Sequence, residues 1–249
     1  MAVLAAASYQ MSMMNASLPP SPPPAATGAA DSAKLGTLRN AIPVTKHQAL
    51  IRTRVVGYAY EFDSGFVWHP DDSGPQAYRW DQVATVNWFA SQHYSNGAYT
   101  GTQYWLTLAS TDGRNLKFSG SCKDPAAKGG RNADPLAPGY LLYQFLIRTR
   151  DAVSAAQLPG AIAALNHGEQ LTFGDLQIST TGIQAPKGFV PWSSVKAVNI
   201  YQGRVSVRQE GKFLSLSSQP AERIPNCPLF LTLAQMLTRQ AASRGPASV

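Results

Sequence analysis

From Arg54 the pattern of apolar and polar residues becomes that of short strands joined by turns. Val55-Val-Gly-Tyr-Ala-Tyr60 and Phe66-Val-Trp68 flank Asp63-Ser-Gly65, a turn signal that predicts a first hairpin. The polar stretch 91–102 contains Asn96-Gly97, the strongest short-range hairpin signal. Tyr104, Leu106 and Leu108 then share a face, Asp112-Gly113 turns the chain, and Leu116 and Phe118 return. The segment 120–138 carries three prolines and three glycines and cannot continue the sheet. After it, Leu141, Leu142, Phe145, Leu146 and Val153 recur near helical period, which predicts a helix through Gln157. Leu158-Pro159 is expected to interrupt it, and a second, short helix from Ala161 to stop at Gly168.

The remainder repeats this layout. Leu171-Thr-Phe173, Leu176-Gln-Ile178 and Gly182-Ile183 read as short strands; Gln202-Gly203 turns into Val205 and Val207, Glu210-Gly211 turns again, and Leu214 and Leu216 return. Asn226 is expected as the N-cap of a last helix, with Pro228 in its first turn and Phe230, Leu233, Ala234 and Leu237 on one face.

The repetition is closest at one place, where tryptophan, two valines and asparagine stand in register. Trp80-Asp-Gln-Val83-Ala-Thr-Val86-Asn87 and Trp192-Ser-Ser-Val195-Lys-Ala-Val198-Asn199 align over eight positions at an offset of 192 − 80 = 112 residues. A duplication at that spacing implies one fold copied, with surfaces free to diverge. The tryptophans and valines, Trp80, Val83, Val86, Trp192, Val195 and Val198, are expected in the core, anchoring each sheet. Asn87 and Asn199 are expected to make side-chain hydrogen bonds within the strand.

Each half thus reads as a bent antiparallel sheet capped by a C-terminal helix, a mainly β fold with helices (α+β), and this layout resembles pleckstrin-homology-like domains. The expected organisation is a disordered Ala/Ser/Pro-rich tail over 1–40, a first such domain over 50–158, a linking helix over 159–168, a second domain over 169–242 and a short tail over 243–249. Ala77-Tyr-Arg-Trp80, Tyr94-Ser-Asn-Gly-Ala-Tyr-Thr-Gly-Thr102, Leu158-Pro159, Phe173-Gly174, Pro191-Trp192 and Ile224-Pro-Asn226 follow one another in order. On these motifs the region from Thr53 to Gln240 resembles an uncharacterised bacterial family known only as a domain of unknown function. The resemblance supplies no activity, since the family has none assigned. It implies tandem domains and, in some relatives, transmembrane segments; no apolar run here approaches the roughly 20 residues that span a bilayer.

Composition narrows the setting. The 249 residues are 44% hydrophobic and only 14% charged, against a usual charged share of roughly 25%, so the surface is sparsely charged. Residues 1–14 lack a basic n-region, so secretion by a signal peptide is not expected and a cytoplasmic location is. Cys122 and Cys227 form no CxxC pair and read as reduced thiols, with a single disulfide between corresponding points of the two halves as the alternative. The net charge of +7 is scattered, with one modest cluster at Lys117, Lys123, Lys128 and Arg131, which argues against a nucleic-acid partner.

No enzymatic constellation stands out, and no cofactor is implied. The four histidines, His47, His69, His93 and His167, lack metal-ligand spacing, and there is no nucleophile elbow or phosphate loop. The candidate site lies in what the halves do not share. One part is the loop bearing His93, Tyr94, Asn96, Tyr99 and Thr100, whose tyrosines and polar groups suit recognition. The other is the basic loop with Lys117, Lys123, Lys128 and Arg131. The turn between the first two strands is acidic, Glu61 to Gly65, which disfavours inositide binding of the usual pleckstrin type. The expected function is a non-enzymatic scaffold that binds a protein or peptide by β-augmentation. The alternative is peripheral attachment to anionic membrane surfaces.

Overall fold

The computed structural model describes residues 20–48, 52–211 and 217–243. The expected strand at Leu214 and Leu216, the start of the N-terminal tail and the end of the C-terminal one lie outside them. The chain divides into two compact units, Met1–Arg79 and Trp80–Val249.

In the first unit, α1 (Pro24–Ser32) precedes a four-stranded antiparallel sheet, β1 (Leu38–Gln48), β2 (Arg52–Phe62), β3 (Gly65–Pro70) and β4 (Gln76–Arg79), in sequential order. The expectation of a disordered tail through residue 40 is therefore corrected. Pro24 sits in the first turn, where its missing N–H costs nothing, and Ala26 and Ala30, four apart, pack one helix stripe against Leu35, Tyr60, Phe62 and Val67. The last turn is capped by Arg79, whose Nη1 donates to the carbonyls of Ala33 and Lys34 at 3.0 and 3.1 Å. The predicted hairpin at Asp63-Ser64 is present, joining Phe62 to Gly65.

The second unit opens on the repeated phrase. Trp80–Gln82 forms a single 3-10 turn and leads into a three-stranded antiparallel sheet, β5 (Val83–Ser95), β6 (Ala98–Ser110) and β7 (Asn115–Cys122). Next come α2 (Pro138–Asn166) and a four-stranded sheet, β8 (Leu171–Phe173), β9 (Leu176–Ile178), β10 (Gly182–Ala185) and β11 (Gly188–Pro191). A second 3-10 turn, Trp192–Ser194, introduces the three-stranded sheet β12 (Val195–Tyr201), β13 (Arg204–Gln209) and β14 (Ser217–Pro220), and α3 (Cys227–Ser243) ends the described chain. Four strands, a tryptophan turn, three strands and a helix thus occur twice in order.

The phrase itself has a mechanical meaning. Val83 and Val86 are three apart, an odd spacing that would send them to opposite faces of a regular strand. The β5–β6 register slips by one between Val83 and Thr85, and the β12–β13 register slips identically between Val195 and Ala197. This one-residue bulge returns both valines to the core side. Trp80, Val83, Val86, Trp192, Val195 and Val198 are all buried, and the Trp192 indole donates to Ser179 O at 2.8 Å. The asparagines differ from expectation: Asn87 Oδ1 is buried without a hydrogen-bond partner, and Asn199 is exposed.

The interruption expected at Leu158-Pro159 is also corrected, because α2 runs unbroken through Pro159 and absorbs the predicted linking helix. Leu142, Phe145, Leu146 and Val153 bury its first part, while Leu158, Ala161, Ile162 and Leu165 join the core of the second half. Packing on both sides outweighs the one exposed backbone bond that proline removes. Cys122 and Cys227 are both free thiols. No helix among the described residues is long and apolar enough to cross a membrane.

Candidate functional site

The two loops expected as separate candidates converge. Asn96 and Gly97, with φ of 48° and 78°, form the two-residue turn that joins β5 to β6, the left-handed pair that matches strand twist. Four residues below the tip the register slips between His93 and Tyr94, and Thr100 closes the irregularity by donating its hydroxyl to His93 O at 3.0 Å. Tyr94 and Tyr99 pair across the strands with ring centroids 5.7 Å apart.

Tyr99 ties this hairpin to the segment after β7. Its hydroxyl lies 2.7 Å from Thr102 Oγ1 and accepts the Asp124 amide at 2.8 Å. Lys123 lies with its Nζ 5.5 Å from the centre of the Tyr99 ring and donates to Thr100 O at 2.6 Å. Asp124 is buried, and its carboxylate accepts the Ala126 amide at 2.9 Å, beginning a run of tight turns. Gly130 is required there: a Cβ would stand 1.9 Å from Asp124 O.

Three adjoining depressions line this surface. The first, of about 590 Å³, is bounded by His93, Thr100, Gln103, Ser121, Cys122 and Lys123 among others. A smaller one of about 190 Å³ lies between Tyr99, Lys123, Gly129 and Asn132, and a third of about 570 Å³ is formed by 125–129 with Arg131 and Asn132, including Lys128. No carboxylate lines any of the three. Cys122 is no activated nucleophile, because burial, then the nearby Asp124, push its thiol up to about 11. No group of three or more histidine, cysteine, aspartate or glutamate side chains suited to a metal occurs among the described residues.

Of the candidates, His93, Thr100, Tyr99, Lys123, Lys128 and Arg131 therefore gather here; Tyr94 reaches them only through its contact with Tyr99, and Asn96 stands apart at the hairpin tip. Lys117 does not. It lies opposite Thr107 on β7 with its Nζ 6.0 Å from the Trp105 ring, which in turn stacks on Phe89 at 5.9 Å. Six residues of extended chain, roughly 20 Å, separate it from Lys123.

A second feature was not anticipated. The start of β5, where the bulge leaves backbone groups without strand partners, is sealed from elsewhere in the chain. Gln157 Nε2 donates to Val83 O at 2.7 Å and Ala84 O at 3.2 Å. Asn226 accepts the Val86 amide at 2.8 Å and donates to Ala84 O at 2.9 Å from its side chain, while its own amide donates to Val86 O at 2.9 Å. Asn226 still stands at the start of α3, its carbonyl accepting Phe230 N, but its side chain serves β5 instead of capping the helix as expected. Beyond Val86 the strand continues for nine residues with β6 on one side and, among the described residues, no strand on the other.

Alongside that open stretch lie aromatic rings. Trp88 and Tyr143 are 5.8 Å apart, Tyr143 meets Tyr104 and Tyr140 at 5.3 and 6.2 Å, and the Arg150 guanidinium lies 5.8 Å from the Trp88 ring.

Residues 146–243 match a family described as a family of unknown function, DUF6585. The match takes in most of α2 and the whole second half, a shorter span than the resemblance from Thr53 onward implies. No curated protein and no solved structure matches the chain.

Proposed function

We propose that the chain is a non-enzymatic tandem module of two pleckstrin-homology-like domains that holds an extended peptide segment of a protein partner on the open part of β5. The repeated order of four strands, three strands and a helix supports the domain reading. The single observation that carries the binding reading is that β5 outruns its own seal: Asn226 and Gln157 occupy the edge from Val83 to Val86, and among the described residues the strand beyond has a strand partner on one side only.

Alternation supplies the geometry. Val86 directs both its N–H and its C=O away from β6, toward Asn226, and no register slip intervenes before His93. Trp88, Ala90 and Gln92 therefore present theirs the same way, a ladder for an added strand. Side chains of such a strand would meet the partly exposed rings of Trp88 and Tyr143 on the α2 side. Ala90→Pro removes one outward donor without touching the core. It is expected to abolish capture of the partner while leaving the melting temperature within a few degrees, and unchanged capture would defeat the strand-edge reading.

The alternative, contact with anionic membranes, is favoured by one observation: Leu136 is 53% exposed in the same loop segment as Lys128 and Arg131. Each cation there would contribute about 1 kcal/mol near a charged surface. Flotation with phosphatidylserine vesicles at low salt distinguishes the two, since an absence of binding removes the membrane reading.

A further inference from the structure

We infer that the turn-rich loop 125–132 is a binding site for a phosphate-type oxyanion, a site that goes beyond the strand-edge reading and does not depend on it. Within this loop the amides of Ala126, Ala127 and Gly130 are used internally, donating to Asp124 Oδ1, Asp124 O and Ala127 O. The amides of Lys128, Gly129, Arg131 and Asn132 donate to no acceptor among the described residues, and these four residues line the depression of about 570 Å³. Clustered free amides form the kind of concavity in which oxyanions are held.

Charge points the same way. Lys128 and Arg131 belong to the lining and make no ion pair among the described residues, and Lys123 borders the adjoining depression that shares Gly129 and Asn132. The two carboxylates nearest in sequence are turned to other work: Asp124 accepts Ala126 N, and Asp134 accepts Leu136 N at 2.9 Å. An anion would meet two or three cations and no carboxylate in the lining itself.

The backbone is held in shape from below. Gly130 packs against Asp124 O, Gly129 has a φ of 94° with Tyr99 Cβ 3.3 Å from where its own would stand, and Tyr99 fixes Asp124 through its hydroxyl.

The test is an amide NMR titration of the full chain with inorganic phosphate, matched by sodium chloride at equal ionic strength. Saturable shifts at residues 128, 129, 131 and 132 are expected with phosphate and not with chloride. The exposed double variant Lys128→Ala/Arg131→Ala is expected to weaken phosphate at least tenfold with an unchanged melting temperature, and Lys128→Arg to keep most of it. Equal shifts with chloride, no saturable shift, or undiminished affinity in the double variant would overturn the inference. Competition by a phosphoserine peptide or by vesicles bearing phosphoinositide then assigns the source, and displacement by either supports the site. Because Ala90→Pro leaves this loop untouched, failure of one proposal is separable from failure of the other.

Discussion

Asn226 completes the edge of β5 at Val86, 140 residues earlier in the chain, by offering an amide, an acceptor and a side-chain donor where a neighbouring strand would. Its φ of 53° turns the backbone so that all three reach the strand at once. Asparagine tolerates that conformation better than other non-glycine residues and carries both hydrogen-bonding functions on one short side chain. The contact ties the end of the second repeat to the bulge that begins the sheet β5–β7, so that two helices and ten strands of the second unit share one long-range clasp.

Replacing Asn226 with alanine strands the Val86 amide, leaves the Ala84 carbonyl with the longer bond from Gln157 alone and imposes a left-handed alanine. A loss of about 2–3 kcal/mol for the hydrogen bonds is expected. Glycine at the same position is expected to be milder by about 1 kcal/mol, since it accepts the backbone conformation freely. Urea unfolding measures both, and faster hydrogen exchange of the Val86 amide in each variant locates the damage.

Trp192→Phe separates the packing and hydrogen-bonding roles of the repeated tryptophan. The indole N–H bond to Ser179 O disappears and a void opens in a fully packed cluster. The expected cost is about 2–3 kcal/mol by calorimetry, with the fold retained. A neutral result would mean that the phrase is not an anchor.

Gly130→Ala places a methyl group against Asp124 O and must rearrange the turn. It is expected to abolish phosphate shifts in the loop and to perturb the Tyr99 hydroxyl contact with Asp124, visible as an altered Asp124 amide resonance. Gly74→Ala is the control, since a Cβ there meets nothing.

Both thiols are pushed up to about 11 by burial, Cys122 further by Asp124, and Cys227 against the opposing influence of Arg150. Below the ordinary value of 9.0 each thiol is protonated whether the chain is folded or not. Between about 9 and 11 the unfolded chain ionises while the folded one keeps its protons, so stability contributed by these groups is lost as pH rises through that window. Alkylation of Cys122 is expected to accelerate about tenfold per pH unit through pH 10. A plateau near pH 8 would contradict this.

The strands and turns were legible because their signals are local: alternation at Tyr104, Leu106 and Leu108, and Asn96-Gly97 at the tip of the hairpin. The odd spacing of Val83 and Val86 suits a turn before a strand that begins near Ala84; instead Val83 already lies in the strand, and a bulge in both repeats accounts for the spacing. Local rules misled at Pro159, where packing of Leu158 and Ile162 holds the helix together, and at Pro24–Ser32, where a composition typical of a tail hides the Ala26 and Ala30 stripe. The N-cap rule found Asn226 and missed its purpose, since nothing local reports a partner 140 residues away. The loops unique to the first repeat were both visible as candidates; that Tyr99 joins them was not, because it depends on the bulge at Thr100.

The account rests on recognition by the unrepeated part of the first half, and site-specific photocrosslinking tests this most directly. A crosslinker placed in turn at Ala90, Lys128 and Lys196, all exposed, reports which surface meets a partner in native lysate. The same partner captured from positions 90 and 128 and none from 196, on the repeated β12, is the predicted result. Capture from 196 alone would contradict the account.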